Sequence, residues 1–164
     1  MKMIVCVSQN YGIGKSGDLL FSLPPDMKLF RETTQGKIVI MGRSTLDSFP
    51  GGKPLKNRVN VVLTRDKAFE RKDTFVFHSK EEALDFVSQY NSDDVYVIGG
   101  AQIYEMFRDV CDEAIVTKVR KEAVCDTFFF DIDSDTAWKK EKESDIMVHE
   151  GTEFTFCTYT RFDK

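Results

Sequence analysis

Four short runs of β-branched and aliphatic residues limit what this chain can fold into. They lie at residues 4–7, 38–41, 59–63 and 95–98, and most do not alternate with polar residues. Such runs read as strands buried on both faces, the habit of a parallel sheet covered by helices. Helical segments fall between them. Pro24-Pro25-Asp26 opens one that runs to about Thr34 and ends before Gly36, because proline and an acid suit a first helical turn. Ser79 and Glu82 have capping-box spacing, and Ala83, Leu84, Val87 and Tyr90 continue as an apolar stripe. Gly99-Gly100 leads into a third helix over residues 101–108. In the last third, residues 114–119 and 154–162 mix β-branched and aromatic side chains, with no helix between them. That pattern predicts an antiparallel addition to the sheet. The charged stretches 65–73 and 139–145 are expected as solvated loops.

A length of 164 residues points to one domain, residues 1–164, with a single substantial core. With 41% apolar and 30% charged residues, disorder and fibre are excluded. The 23 basic and 27 acidic side chains give a net charge of −4. The basic footprint of a nucleic-acid binder is therefore missing, although a local pocket for a small anion is allowed. No run approaches the ~20 apolar residues of a membrane helix, and the first residues lack a signal-peptide cleavage pattern. Cys6, Cys111, Cys125 and Cys157 form no C-x-x-C pair, and His78 and His149 are the two imidazoles. Free thiols in a reducing cytoplasm are expected rather than a zinc site or a disulfide framework.

Several residues could carry chemistry, and each has a plainer reading beside it. Asp26 and Phe30 lie four apart, sharing a helix face with neighbouring Met27. A carboxylate there could accept two parallel hydrogen bonds from an amidine-like heterocycle edge, or simply complement a helix dipole. Gly99-Gly100-Ala101-Gln102 follows a strand and opens a helix, which suits a phosphate cradle and equally a tight turn. Gly42-Arg43-Ser44-Thr45 and Thr64-Arg65 follow two other strands. In a parallel sheet all three junctions share one edge, where α/β proteins bind ligands. Arg43 and Arg65 would suit a polyanionic cofactor with an extra phosphate, or stand as solvated charges. Residues 10–18 hold three glycines and read as a mobile loop, either a lid or a connection. Gly14-Lys15-Ser16 ends like a Walker A loop, but Gln9 stands where its first glycine belongs, so ATP binding is rejected.

Taken in order, Ile13-Gly14, Leu23-Pro24-x-Asp26-x-x-x-Phe30, Val39-Ile40-Met41-Gly42-Arg43-x-Thr45, Val97-Ile98-Gly99-Gly100-Ala101-x-Ile103-Tyr104 and Asp126-Thr127-Phe128-Phe129 resemble dihydrofolate reductase. The likeness spans nearly the whole chain. It implies an α/β fold: a twisted, mostly parallel eight-stranded sheet with an antiparallel C-terminal strand, flanked by four helices. It also implies NADPH as cofactor and dihydrofolate as substrate, in a cytoplasmic monomer with neither nucleic acid nor membrane as partner. The implied reaction moves hydride from nicotinamide C4 to pterin C6, with protonation at N5, and supplies one-carbon metabolism with tetrahydrofolate.

Residue by residue, the resemblance gives Asp26 the pterin 2-amino group and N3, with Thr117 bonded to its carboxylate. Ile4, Cys6, Met27 and Phe30 would line the pterin pocket with Phe49, Leu55 and Ile98. Arg58 would grip the substrate's α-carboxylate, a bidentate role. Backbone groups of Cys6 and Ile13 would hold the nicotinamide carboxamide, with Tyr104 nearby. Gly42, Ser44, Thr45, Gly99, Gly100 and Ala101 would surround the pyrophosphate together with Gln102 and Ile103. Arg43, Leu63, Thr64 and Arg65 would take the adenosine end, the 2′-phosphate falling to Arg43, Thr64 and Arg65. Asp126 would tether the glycine-rich loop. Two departures stand out: Leu20-Phe21 replaces the family's usual Pro-Trp, and Cys6 a more usual alanine. Phe21, placed with the catalytic residues, lacks the indole donor that bridges to substrate through water. The resemblance leaves two rivals: a reductase of the same fold acting on a ribosylated pyrimidine, and a non-catalytic ligand-binding module.

Overall fold

The four apolar runs lie in one sheet in a computed structural model that describes residues 1–16 and 18–162. They form β1 (Lys2–Val7), β4 (Ile38–Gly42), β5 (Val59–Leu63) and β7 (Val95–Gly99). Between β1 and β4 come β2 (Gly12–Lys15), β3 (Asp18–Leu19) and helix α1 (Pro24–Thr34). Helix α2 (Arg43–Ser48) follows β4, and β6 (Phe75–Phe77) and α3 (Lys80–Val87) follow β5. After β7 come α4 (Ala101–Phe107), β8 (Glu113–Val119), β9 (Thr127–Phe128), β10 (Trp138–Glu143), β11 (Met147–His149) and β12 (Thr152–Arg161).

The main sheet runs β10-β12-β8-β1-β7-β4-β5-β6, with the short β11 paired to β12. Strands β8, β1, β7, β4, β5 and β6 are mutually parallel. The C-terminal strand β12 is antiparallel to both β8 and β10. Every residue of β4 and β7 is buried, as unalternating runs require when helices cover both faces. Alternate residues feed two separate cores. Val5, Ile40, Val61 and Val97 pack with Ala83 of α3 and Phe107 of α4. Ile4, Val39, Met41 and Ile98 pack on the other face with Leu46 of α2 and, from α1, Phe30.

Local signals set the ends of the elements. Pro24 and Pro25 occupy the first turn of α1, and the chain leaves the helix through Gly36 at φ 73°, a left-handed conformation that favours glycine. At α3 the Ser79 hydroxyl accepts from Glu82 N at 3.1 Å. The returning bond of the capping box shifts by one residue: His78 N, rather than Ser79 N, donates to Glu82 Oε1 at 3.2 Å. The apolar stripe continues past the helix end at Val87, with Tyr90 beyond it.

Two expectations need correction. Residues 139–145 are not a loop, because β10 takes most of them into an antiparallel edge strand. Lysine and glutamate fill its exposed positions, and charge at a sheet border conceals a strand from pattern reading. The glycine-rich stretch is likewise not a plain loop. It folds into a small antiparallel sheet, β3-β2-β9. Asp126 fastens it by accepting from Ser16 N at 2.8 Å and donating its own N–H to Gly14 O at 3.0 Å. Gly17, part of that stretch, lies outside the described residues.

One polar knot ties this small sheet to the main one. Asp133 accepts from Lys118 Nζ at 2.5 Å, from Tyr159 Oη at 2.6 Å and from Tyr11 Oη. Burial raises its pKa, but these donors outweigh burial and bring the carboxyl down to about 2. A depressed carboxyl adds stability above its unfolded value of ~3.9 and loses it as pH falls toward its folded value. Asp133→Asn should therefore lower urea stability near neutrality, by about 1 kcal/mol because solvent screens a carboxylate at the surface. The gap to the parent should close as acid titration passes from ~4 down toward 2; a gap independent of pH would contradict this account.

Candidate functional site

The side chains singled out from the sequence gather in two groups, one that runs along a face of the sheet from Asp26 to Arg58, which precedes β5, and one at the edge where the parallel strands place their C-terminal ends. The first surrounds Asp26. Proline at the start of α1 sets the helix so that Asp26 sits in its first turn, beneath the sheet. Thr117 Oγ1 donates to Asp26 Oδ1 at 2.6 Å, and Thr117 is 1% exposed. In the β1–β8 register Cys6 stands opposite Thr117, so both side chains project from the same face beside the carboxylate. Burial raises the proton affinity of Asp26, opposed by the Thr117 hydroxyl and the Cys6 thiol. Burial also pushes the Cys6 thiol well up, with the Asp26 charge adding to the effect, so it stays protonated.

Apolar walls adjoin that carboxylate. Ile4, Phe30, Phe49, Leu55 and Ile98 belong to one cluster. Phe21 packs with Cys6, Leu23 and Phe154 in a neighbouring one. Met27 is 51% exposed and accepts a hydrogen bond from Ser22 Oγ at 3.5 Å, so it lies at the rim while its helix neighbour Asp26 lies inside. Ile98 occupies a bulge, where the β4–β7 register slips between Ile40 and Met41. A bulge re-aims the side chain it carries. Arg58 donates to Lys56 O at 2.7 Å, Arg31 O at 3.2 Å and Thr34 Oγ1 at 3.2 Å. Burial and the nearby Arg31 charge lower its proton affinity. Two guanidinium groups at one end of an apolar slot would suit an organic carboxylate.

The second group lines a cleft of about 500 Å³. Gly42, Arg43 and Ser44 come from the β4–α2 junction, and Leu63, Thr64 and Arg65 from the end of β5. Gly100, Ala101, Gln102 and Ile103 come from the start of α4. Both helices begin at a glycine without a side-chain cap, leaving first-turn N–H groups for an outside acceptor. A side chain at Gly42 would meet Ile103 Cγ1 at 3.1 Å, and one at Gly100 would approach Thr45 Oγ1 at 3.7 Å. Glycine at position 42 thus lets Ile103 pack close against this junction, while a side chain at position 100 would meet only ordinary contact. Gly99, at φ 122°, leaves room for the Tyr104 ring, whose hydroxyl donates to Ile4 O at 2.7 Å. Ile13 is buried in the core cluster that also holds Ile103 and Tyr104 and does not line the cleft.

The two arginines of the cleft differ. Arg43 donates to Asp66 Oδ2 at 3.0 Å, lies 3.5 Å from Asp47 and stacks over Phe69 with its guanidinium carbon 4.4 Å from the ring centroid. Among the described residues, Arg65 makes no hydrogen bond or ion pair. The pattern in the sequence missed His78, Met106 and Thr127, which also line the cleft. It also missed Asn60, 2% exposed, whose amide bonds Leu55 N, Leu55 O and Arg58 O and so shapes the segment that carries Arg58. A lone polar residue inside the run at 59–63 was the available signal for Asn60.

The dihydrofolate reductase family model matches residues 1–161. The dihydrofolate reductase of Staphylococcus haemolyticus is 36% identical over 140 residues, covering 85% of this chain and 81% of that one. That of Haemophilus influenzae is 37% identical over 127 residues, covering 77% and 76%. The bifunctional dihydrofolate reductase-thymidylate synthase of Glycine max is 33% identical over 98% of this chain, which spans 33% of that longer protein. Among solved structures, Enterococcus faecalis dihydrofolate reductase complexed with NADP(H) and RAB-propyl superposes with a TM-score of 0.88. It is 32% identical over 99% of this chain and 96% of that one.

Proposed function

This chain belongs to the dihydrofolate reductase family, and from that membership we propose how its residues divide the work of reducing dihydrofolate with NADPH. Residues 1–164 act as one catalytic domain. The observation that carries the reading is the Asp26 carboxylate, set beside an apolar slot and bonded by Thr117 at 2.6 Å. Asp26 accepts from the pterin 2-amino group and N3, and Thr117 fixes the carboxylate plane for that paired contact. Burial keeps a proton more accessible on Asp26 than on a solvated carboxylate. It thereby favours protonation at N5, the atom that must gain a proton when C6 gains hydride.

Ile4, Phe30, Phe49, Leu55 and Ile98 exclude water around the pterin and benzoyl rings, with Met27 at the rim. Arg58 holds the α-carboxylate of the glutamate tail. Phe21 supplies ring contact without a donor for bridging water. Tyr104 and the backbone of Cys6 and Ile13 orient the nicotinamide end. Gly42, Ser44, Thr45 and Gly99 hold the pyrophosphate together with Gly100, Ala101, Gln102 and Ile103. Leu63 flanks the adenosine, and Thr64, Arg65 and Arg43 receive the 2′-phosphate. When bound there, NADPH supplies hydride from nicotinamide C4 to pterin C6; the protein supplies position and electrostatics. The product feeds one-carbon metabolism, and the enzyme works as a cytoplasmic monomer on small molecules. Among the described residues no helix is long and apolar enough to cross a membrane.

Loss of NADPH absorbance on adding dihydrofolate tests the reading directly. Steady oxidation that stops when either reactant is withheld is the expected result. NADPH binding without turnover would make the chain a ligand-binding module.

A further inference from the structure

Cys6 brings a side chain as well as backbone groups to the substrate end of the site. Its strand β1 lies beside β8, where Thr117 is its register partner. Partners on adjacent parallel strands project from the same face, ~4.8 Å apart. Thr117 Oγ1 donates to Asp26 Oδ1 at 2.6 Å, and the Cys6 thiol is a second donor to the same carboxyl. The thiol keeps its hydrogen, because burial and the adjacent Asp26 charge both disfavour a thiolate.

Other donors around Asp26 are scarce. Tyr104 is buried close to it, but its hydroxyl is committed to Ile4 O at 2.7 Å. Phe21, Leu23 and Phe156, which pack with Cys6, carry no polar side-chain atom. Among the described residues Asp26 has no ion-pair partner. An ionised carboxylate offers about four lone-pair positions. With Thr117 and Cys6 on two of them, two remain for the paired N–H groups of a pterin edge. Thr117 fixes the carboxylate plane through one contact. A second contact from the neighbouring strand stiffens it against rotation about Cβ–Cγ, and any such donor favours the ionised form.

We propose that Cys6 is a positioning residue for dihydrofolate reduction: its thiol, donating to Asp26 beside Thr117, holds the carboxylate turned toward the pterin edge. The proposal rests on the assignment of Asp26 to the pterin. The side chain of Cys6 thus acts through Asp26, separately from the backbone groups that orient the nicotinamide.

The test sets Cys6→Ala beside Cys6→Ser, a folded state being checked by thermal melting. Alanine and serine are close in size, so they differ chiefly in the hydroxyl donor that serine keeps. In Cys6→Ala the KM for dihydrofolate at neutral pH should rise about three-fold, the scale of one neutral hydrogen bond. The descending limb of the single-turnover hydride rate should move to higher pH by ~0.5, because the lost donor had favoured the ionised carboxylate. In Cys6→Ser both should return toward the parent. Equal behaviour of the two variants overturns the proposal, since space alone then accounts for Cys6. The infrared S–H stretch gives a readout independent of turnover. The band lost in either variant belongs to Cys6. In the parent it should lie at the lowered frequency of a donating thiol and rise in Asp26→Asn, whose amide is a weaker acceptor than a carboxylate. A Cys6 band at the frequency of a free thiol, unmoved in Asp26→Asn, overturns the proposal even in an active enzyme. A parent that does not oxidise NADPH with dihydrofolate, its Cys6 band still lowered, overturns the functional reading and the positioning role with it, while the contact with Asp26 stands.

Discussion

Asp26→Asn is expected to keep the fold and NADPH binding while turnover near neutral pH falls by about 10²–10³-fold, the range for loss of a positioned acid or base. Thr117 Oγ1 can still donate to an amide oxygen, so the geometry at 2.6 Å survives the change. What disappears is a carboxyl whose proton affinity is raised, chiefly by burial. Part of the rate should return in acid, where the substrate arrives already protonated. The same substitution should raise stability. A carboxyl with a raised folded pKa binds protons more readily in the native state, so stability falls as pH rises past its unfolded value of ~3.9. An amide has no such penalty. Single-turnover hydride rates and urea titrations across pH measure both effects. An undiminished rate at neutral pH would remove Asp26 from the chemistry.

Arg65→Ala should weaken NADPH by about 10- to 100-fold, the equivalent of losing ~1.5–3 kcal/mol of charge-assisted hydrogen bonding. NADH, which lacks the 2′-phosphate, should change by less than about two-fold. Arg65 is singled out over Arg43 because Arg43 already has Asp66 and Asp47 as partners and Phe69 beneath it. Arg43→Ala should therefore cost less, since a paired guanidinium offers less net charge to a ligand. Equal losses of NADPH and NADH in Arg65→Ala would refute the placement of the phosphate.

The sequence disclosed most of the central sheet, because strands buried on both faces leave uninterrupted apolar runs, as β4 and β7 do. It also located α1 and the glycine-led junctions of the cleft, where proline, acid and glycine carry local meaning. It could not decide whether Asp26 was a helix-dipole acid or a pocket carboxylate. That distinction depends on Thr117, 91 residues away in sequence and brought close only by the β1–β8 pairing. Strand β10 escaped notice because its side chains are solvated. His78 escaped because β6 is three residues long, too short to announce a strand and hence its edge. Asn60 escaped because its partners are backbone atoms, which no residue pattern encodes.

The lysines and glutamates along β10 have a consequence for crowded conditions. A second molecule trying to extend the sheet past that border would have to strip water from five successive exposed positions, Lys139 through Glu143, with nothing apolar gained in return. Lateral stacking into fibrils is disfavoured from that side, so the charge that hid this strand from recognition also guards this border of the sheet against ordered aggregation.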